Sequence, residues 1–112
     1  MAEEGEVISI HSVEDWRKHM EKGNTSNKLI VVDFTATWCG PCRLISPVFE
    51  EYAKEFLNVT FLKVDVDELK TVTQECEIKA MPTFLFLKKG EQVDKLVGGN
   101  KNKLQLKIAK HA

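Results

Sequence analysis

The run Leu29-Ile30-Val31-Val32-Asp33-Phe34 constrains this chain more than any other stretch. It is apolar at both alternating sets of positions, the pattern of a strand covered on both faces. A chain holding such a strand needs helices above and below one sheet. One polar residue interrupts the run. On a strand, Asp33 shares a face with Leu29 and Val31. A carboxyl placed there pairs with a cation, stays protonated with a raised pKa, or does chemistry. The alternative is that the strand has ended and Asp33 meets solvent.

The flanking pattern supplies the helices. Val7–Ile10 reads as a short strand, and Ser12 is a helix cap followed by Glu14 and Asp15 in the first turn. Val13, Trp16 and Met20 form the apolar stripe of that helix, and Gly23–Asn27 has the composition of a loop. After the buried strand comes Cys39-Gly40-Pro41-Cys42, then a helical pattern from Arg43 to Leu57. Pro41 suits a first helical turn, whereas Pro47 should kink the helix. Thr60–Val64 is the next strand, and a short helix covers Glu68 to Glu75. Thr83–Leu87 and Gln92–Val97 form a hairpin across the turn Lys88–Glu91. Gly98-Gly99 ends that strand, and a helix from Lys101 to His111 presents Leu104, Ile108 and, as a further candidate, Leu106 to the core. The alternation predicts an α/β fold: one domain over residues 1–112, with a central mixed sheet of about five strands flanked by about four helices.

A net charge of −1 argues against a nucleic-acid or anionic-membrane surface. No stretch approaches the about 20 apolar residues of a membrane span. The acidic start Met1-Ala2-Glu3-Glu4 lacks the features of a secretory signal, so a cytoplasmic protein is expected. Three cysteines are too few for a disulfide scaffold, and in a reducing compartment close spacing points to metal binding or redox catalysis.

Cys39 and Cys42 decide between those two. Residues i and i+3 on a helix have Cβ atoms roughly 5–6 Å apart, and a modest adjustment reaches the ~3.8 Å of a disulfide. Cys39 stands at the helix start, where unpaired N–H groups and the helix dipole stabilise a thiolate, the nucleophilic form. Cys42, one turn in, is placed to resolve a mixed disulfide. A zinc site needs about four ligands. Only Cys76 remains as a thiol, and His11, His19 and His111 lack ligand spacing, so no metal is expected. The three histidines are expected to face solvent without a role. Leu69, Val72 and Cys76 share a helical stripe, which turns the third thiol toward the core. A peripheral thiol open to an intermolecular disulfide is the other reading.

Around Trp38-Cys39-Gly40-Pro41-Cys42 the chain resembles the thioredoxin family over almost its whole length. Val32-Asp33-Phe34 precedes the motif at the family's spacing, Met81-Pro82-Thr83 matches its cis-proline segment, and Gly98 matches the glycine after its last strand. Phe34-Thr35-Ala36 and Asp65-Val66-Asp67-Glu68-Leu69 are similar to the plant cytosolic h-type group. The resemblance implies a thioredoxin fold and a protein dithiol–disulfide oxidoreductase that reduces target disulfides through Cys39 and Cys42. It further implies that Asp33 exchanges a proton with Cys42, that Gly40, Pro41 and Lys63 tune the site, and that Trp38, Ala80, Met81, Pro82, Val97, Gly98 and Gly99 form the target-binding rim. Lys63 taken alone reads equally as an exposed alternating lysine. No bound cofactor is implied, since reducing equivalents come from NADPH through thioredoxin reductase. The partners are that reductase and disulfide-containing proteins, not nucleic acid or membrane. A monomer is expected, with a Cys76-linked dimer as the variant state. The rival functions are a redox-independent docking or holdase module and a disulfide isomerase or oxidase. The isomerase group usually carries His at the position of Pro41, and docking modules tend to lose a cysteine.

Overall fold

The computed structural model describes residues 5–112. Ser12 caps α1 (Val13–Asn24), its Oγ accepting the Asp15 N–H at 3.0 Å. That helix runs two residues into the stretch expected as loop, because Gly23 is buried against Ile30 and a Cβ there would stand 2.6 Å from Ile30 Cδ1, while residues 25–27 lie outside it. β1 (Val7–Ile10), β2 (Ile30–Thr35) and β3 (Thr60–Asp65) pair in parallel, with β3 between the other two. β4 (Thr83–Lys88) runs antiparallel to β2, and β5 (Glu91–Val97) antiparallel to β4, giving the order β1-β3-β2-β4-β5. The β4–β5 turn uses Lys89 and Gly90 in the left-handed region, φ 52° and 80°, the second a conformation glycine adopts at no steric cost.

α2 (Gly40–Glu55) begins three residues earlier than the apolar pattern suggests and continues through Pro47. The early start has a local cause: the cap is the sulfur of Cys39, which spacing rules built on Ser, Thr, Asp and Asn do not register. α3 (Lys70–Glu75) starts two residues later than expected. The Asp65 carboxylate takes the N–H groups of Asp67 and Glu68 at 2.8 and 3.3 Å and holds those residues in a turn. α4 (Lys101–His111) is capped by Asn100, whose side chain accepts the Lys103 N–H at 3.0 Å.

Alternation along β2 sends its residues into two cores. Ile30, Val32 and Phe34 pack with Trp16, Leu62, Val64 and Val72 on one face. Leu29 and Val31 pack with Ile45, Phe49, Phe61, Phe84, Leu104 and Ile108 on the other, under α2 and α4. Phe49 meets Phe61 and Phe84 at ring-centroid distances of 5.1 and 5.5 Å. Leu106 does not join them: it is 70 % exposed, since two residues beyond Leu104 is about 200° around the helix.

Two histidines also depart from expectation. His11 is exposed, but His19 and His111 are half-buried. The His111 ring lies over Phe86 and its Nε2 stands 2.9 Å from Asp94 Oδ2, while Lys107 Nζ takes Oδ1 at 2.8 Å. Asp94 thus ties α4 to β5, and those hydrogen bonds hold its carboxyl well below the usual carboxylate range.

Candidate active site

The site forms where β2 ends. Ala36 accepts the Cys39 N–H at 3.2 Å and closes the loop between strand and helix, which aims Cys39 at the N-terminus of α2. Cys39 and Cys42 are joined by a disulfide across a Cα–Cα distance of 5.3 Å. The Cys39 Sγ also accepts the Cys42 N–H at 3.2 Å, so negative charge on that sulfur would meet an oriented N–H and the helix dipole. Both residues are buried, Cys42 the more completely.

Three further segments converge on the pair. The Met81–Pro82 peptide is cis, and the Met81 carbonyl stands 3.6 Å from Cys39 Sγ. Gly98 donates its N–H to the Pro82 carbonyl at 2.8 Å from a φ of 104°, which a side chain would strain. A Cβ on Gly99 would lie 3.7 Å from the Pro41 carbonyl and 3.9 Å from Pro82 Cγ, so this strand exit runs close beside both prolines. Trp38, 64 % exposed, and Val97, 56 % exposed, add apolar surface to the edges, with Ala80 exposed beside Met81. Gly40 is not required sterically, for a Cβ there would meet nothing within 4 Å.

Asp33 is 1 % exposed and lies on the face of β2 that α2 covers. Its register partners are Lys63 on β3 and Phe84 on β4. Among the described residues, its Oδ1 has no hydrogen-bond partner. Burial pushes the carboxyl up from 3.8 to about 7, opposed by the charge of Lys63. Lys63 is therefore Asp33's neighbour on the sheet as well as a half-buried lysine, and its Nζ reaches Ser46 Oγ on α2 at 3.4 Å. A cavity of about 370 Å³ opens from the surface onto Cys42, Ser46 and Lys63.

Cys76 stands apart, half-buried at the end of α3 and packed against the core under α1. Burial and the charge of Glu75 push its thiol up to about 11. Two contacts escaped the sequence reading. The Trp38 indole donates to Asp67 Oδ2 at 2.8 Å, and Arg43 donates to the Thr37 carbonyl at 2.8 Å, so both ends of the motif loop are tied down. Neither pair has a local signature. Among the described residues no group of three or more His, Cys, Asp or Glu could hold a metal ion, and no helix is long and apolar enough to cross a membrane.

A paired CxxC at a helix N-terminus, faced by a cis-proline and backed by a buried carboxyl, defines a thiol–disulfide oxidoreductase on an α/β scaffold. Comparison with known proteins narrows the class. The thioredoxin family model matches residues 7–110. The chain is 61 % identical to the H-type thioredoxin of Ricinus communis over 98 % of its own length and 93 % of the relative's. It is 57 % identical to thioredoxin H1 of Arabidopsis thaliana, over 98 % and 96 %. The crystal structure of NaTrxh from Nicotiana alata superposes with a TM-score of 0.92 at 50 % identity, covering 94 % of this chain and 91 % of that one. The chain belongs to the thioredoxin family, and these plant relatives are of the h type. It is accordingly a protein-disulfide reductase that works without a bound cofactor and draws its reducing equivalents from NADPH by way of thioredoxin reductase.

Proposed function

We propose that Cys39 is the attacking thiol, Cys42 the resolving thiol and Asp33 the proton acceptor and donor for Cys42. The observation that carries the order is the capping of α2 by Cys39, the less buried of the two, whose Sγ already accepts an N–H and faces the Met81 carbonyl. In the reduced protein the Cys39 thiolate attacks one sulfur of a target disulfide, forming a mixed disulfide and releasing the other target sulfur as a thiolate. Asp33, whose pKa its burial raises to about 7, takes the Cys42 proton. The Cys42 thiolate then attacks Cys39, which expels the second target thiolate. Two electrons have passed to the target, and the protein is left as the disulfide seen here.

Lys63 tunes this proton transfer by its charge beside Asp33. Gly40 leaves the flank of Cys39 open, and Pro41 begins the helix without an unpaired N–H. An extended target segment would pair with the backbone at Met81 and rest on Trp38, Ala80, Pro82, Val97, Gly98 and Gly99. The working unit in this reading is a cytosolic monomer of one domain. Cys76, protonated at neutral pH, is a poor site for linking two copies. The test is insulin-disulfide reduction with dithiothreitol, then with NADPH and a thioredoxin reductase. Turnover should vanish in Cys39→Ser, and wild-type turnover in that variant would place the nucleophile elsewhere.

A further inference from the structure

Beside the cis-proline bond lies a hollow of about 220 Å³ lined by Asp67, Lys70, Thr73, Ile78, Lys79 and Met81, among others. Met81 links it to the reactive sulfur, for this residue lines the hollow and its carbonyl stands 3.6 Å from Cys39 Sγ. Two lysines line it, Lys70 at the start of α3 and Lys79 in the segment between α3 and β4. Both lysines are exposed, and neither has a hydrogen-bond or ion-pair partner among the described residues. The one carboxylate in the lining, Asp67, already accepts the Trp38 indole N–H and sits at the Trp38 end. The hollow therefore carries a net positive charge at its α3 end, next to the Met81 backbone assigned above to target pairing.

We propose that Lys70 and Lys79 make this hollow a selectivity pocket for acidic side chains, so that the chain prefers target disulfides whose cysteine is flanked within about two residues by Asp or Glu. The limit of two residues comes from the contact of Cys39 Sγ with Met81, a lining residue of the hollow, and from the advance of about 3.3 Å per residue of an extended target. The proposal rests on the assignment of Cys39 and Met81 above and deepens it by naming the substrate class. Surface ion pairs steer and select more than they hold, so two of them should appear as a rate preference of about threefold to tenfold at low salt, fading as salt is raised.

The test uses two disulfide-linked peptide dimers, alike except for Asp or Lys at both residues flanking the cysteine, with dithiothreitol as reductant. Monomer is measured by chromatography after subtracting the uncatalysed rate. The wild-type chain should reduce the Asp peptide faster by that margin. Lys70→Glu with Lys79→Glu should reverse the order. Lys18→Glu with Lys110→Glu, the same charge change at exposed positions on α1 and α4, should keep it. Equal rates for the two peptides with the wild type overturn the proposal and leave the reductase assignment standing. Retention of the Asp preference in the Lys70/Lys79 variant also overturns it. Reduction of neither peptide overturns both.

Discussion

Replacing Asp33 with asparagine should turn the burial of this carboxyl into a slope of stability against pH. The group is 1 % exposed, with one oxygen unpartnered, and burial raises it from 3.8 to about 7 against the pull of Lys63. In the unfolded chain it titrates near ~3.9. Below that value the carboxyl is neutral in both states and folding loses nothing by burying it. Between about 4 and about 7 the unfolded chain gives up the proton while the native protein keeps it. The native state then binds more protons than the unfolded one, so stability falls as the pH rises. Above about 7 both states are ionised and the loss is complete. A difference of roughly 3 units at ~1.36 kcal/mol each makes the buried carboxylate cost about 4 kcal/mol at pH 9 and almost nothing at pH 4.

The asparagine variant lacks that dependence. Its own cost, a buried amide with unmet hydrogen bonds, is about 1–3 kcal/mol and independent of pH. Other titrating groups are common to both proteins and cancel in the comparison. Urea unfolding of the two oxidised proteins should therefore show the variant gaining roughly 4 kcal/mol on the wild type between pH 4 and pH 9. At a slope of about 2 kcal/mol per molar that is a midpoint shift of ~2 M. Lys63→Gln, which removes the opposing charge, should widen the window on its alkaline side. Parallel curves for wild type and Asp33→Asn would show that Asp33 titrates normally in the native protein and would remove it from the proton-transfer step.

Cys42→Ser should stop after the first transfer and accumulate a mixed disulfide with insulin, seen as a higher-mass band on a non-reducing gel and absent for Cys39→Ser. Asp94→Asn should cost about 1 kcal/mol at neutral pH, because a half-buried carboxylate then stops joining Lys107 and His111 to β5. That carboxyl is depressed in the native state, so its contribution is present above the usual carboxylate range and lost as the pH falls below it; urea midpoints at pH 7 and pH 3 should show the variant's deficit shrinking. Leu104→Ala should cost ~2–5 kcal/mol and Leu106→Ala less than about 0.5, since the first side chain is wholly buried and the second 70 % exposed. Thermal unfolding of the pair checks which of them α4 turns inward.

The elements legible in the sequence were those whose signal is local. The apolar run at Leu29–Phe34 and the Ser12 cap each decide their own backbone, and both stand as read. Where a distant contact decides, local rules failed. Gly23 looked like the start of a loop because glycine weakens a helix, yet it permits the approach of α1 to Ile30. The sequence pattern extends α3 back to Glu68, but the Asp65 carboxylate takes the N–H groups of Asp67 and Glu68 and the helix begins at Lys70. At the site, the cysteine pair and the cis-proline segment were visible as motifs, and Asp33 as a polar residue out of pattern. Asp67 and Ser46 were not, since each meets its partner across 29 and 17 residues of chain and only the folded sheet brings them together.

Those contacts bear on how the cycle can run on a small scaffold. The disulfide joins a helix cap to the first turn of the same helix, with both Cα atoms held by α2 and its entry loop. Both cysteines belong to the core cluster that holds Phe34 and Ala36, and their bond spans a single helical turn, so opening it breaks no link between distant elements. The demand falls instead on protons, because the thiol proposed to resolve the mixed disulfide is only 2 % exposed and burial disfavours its ionised form. A carboxyl buried on the neighbouring strand answers that demand only if its own ionisation is expensive enough to sit near neutral pH. The instability that Asp33 introduces and the proton transfer proposed for it are then one property, and a substitution that relieves the first should slow the second.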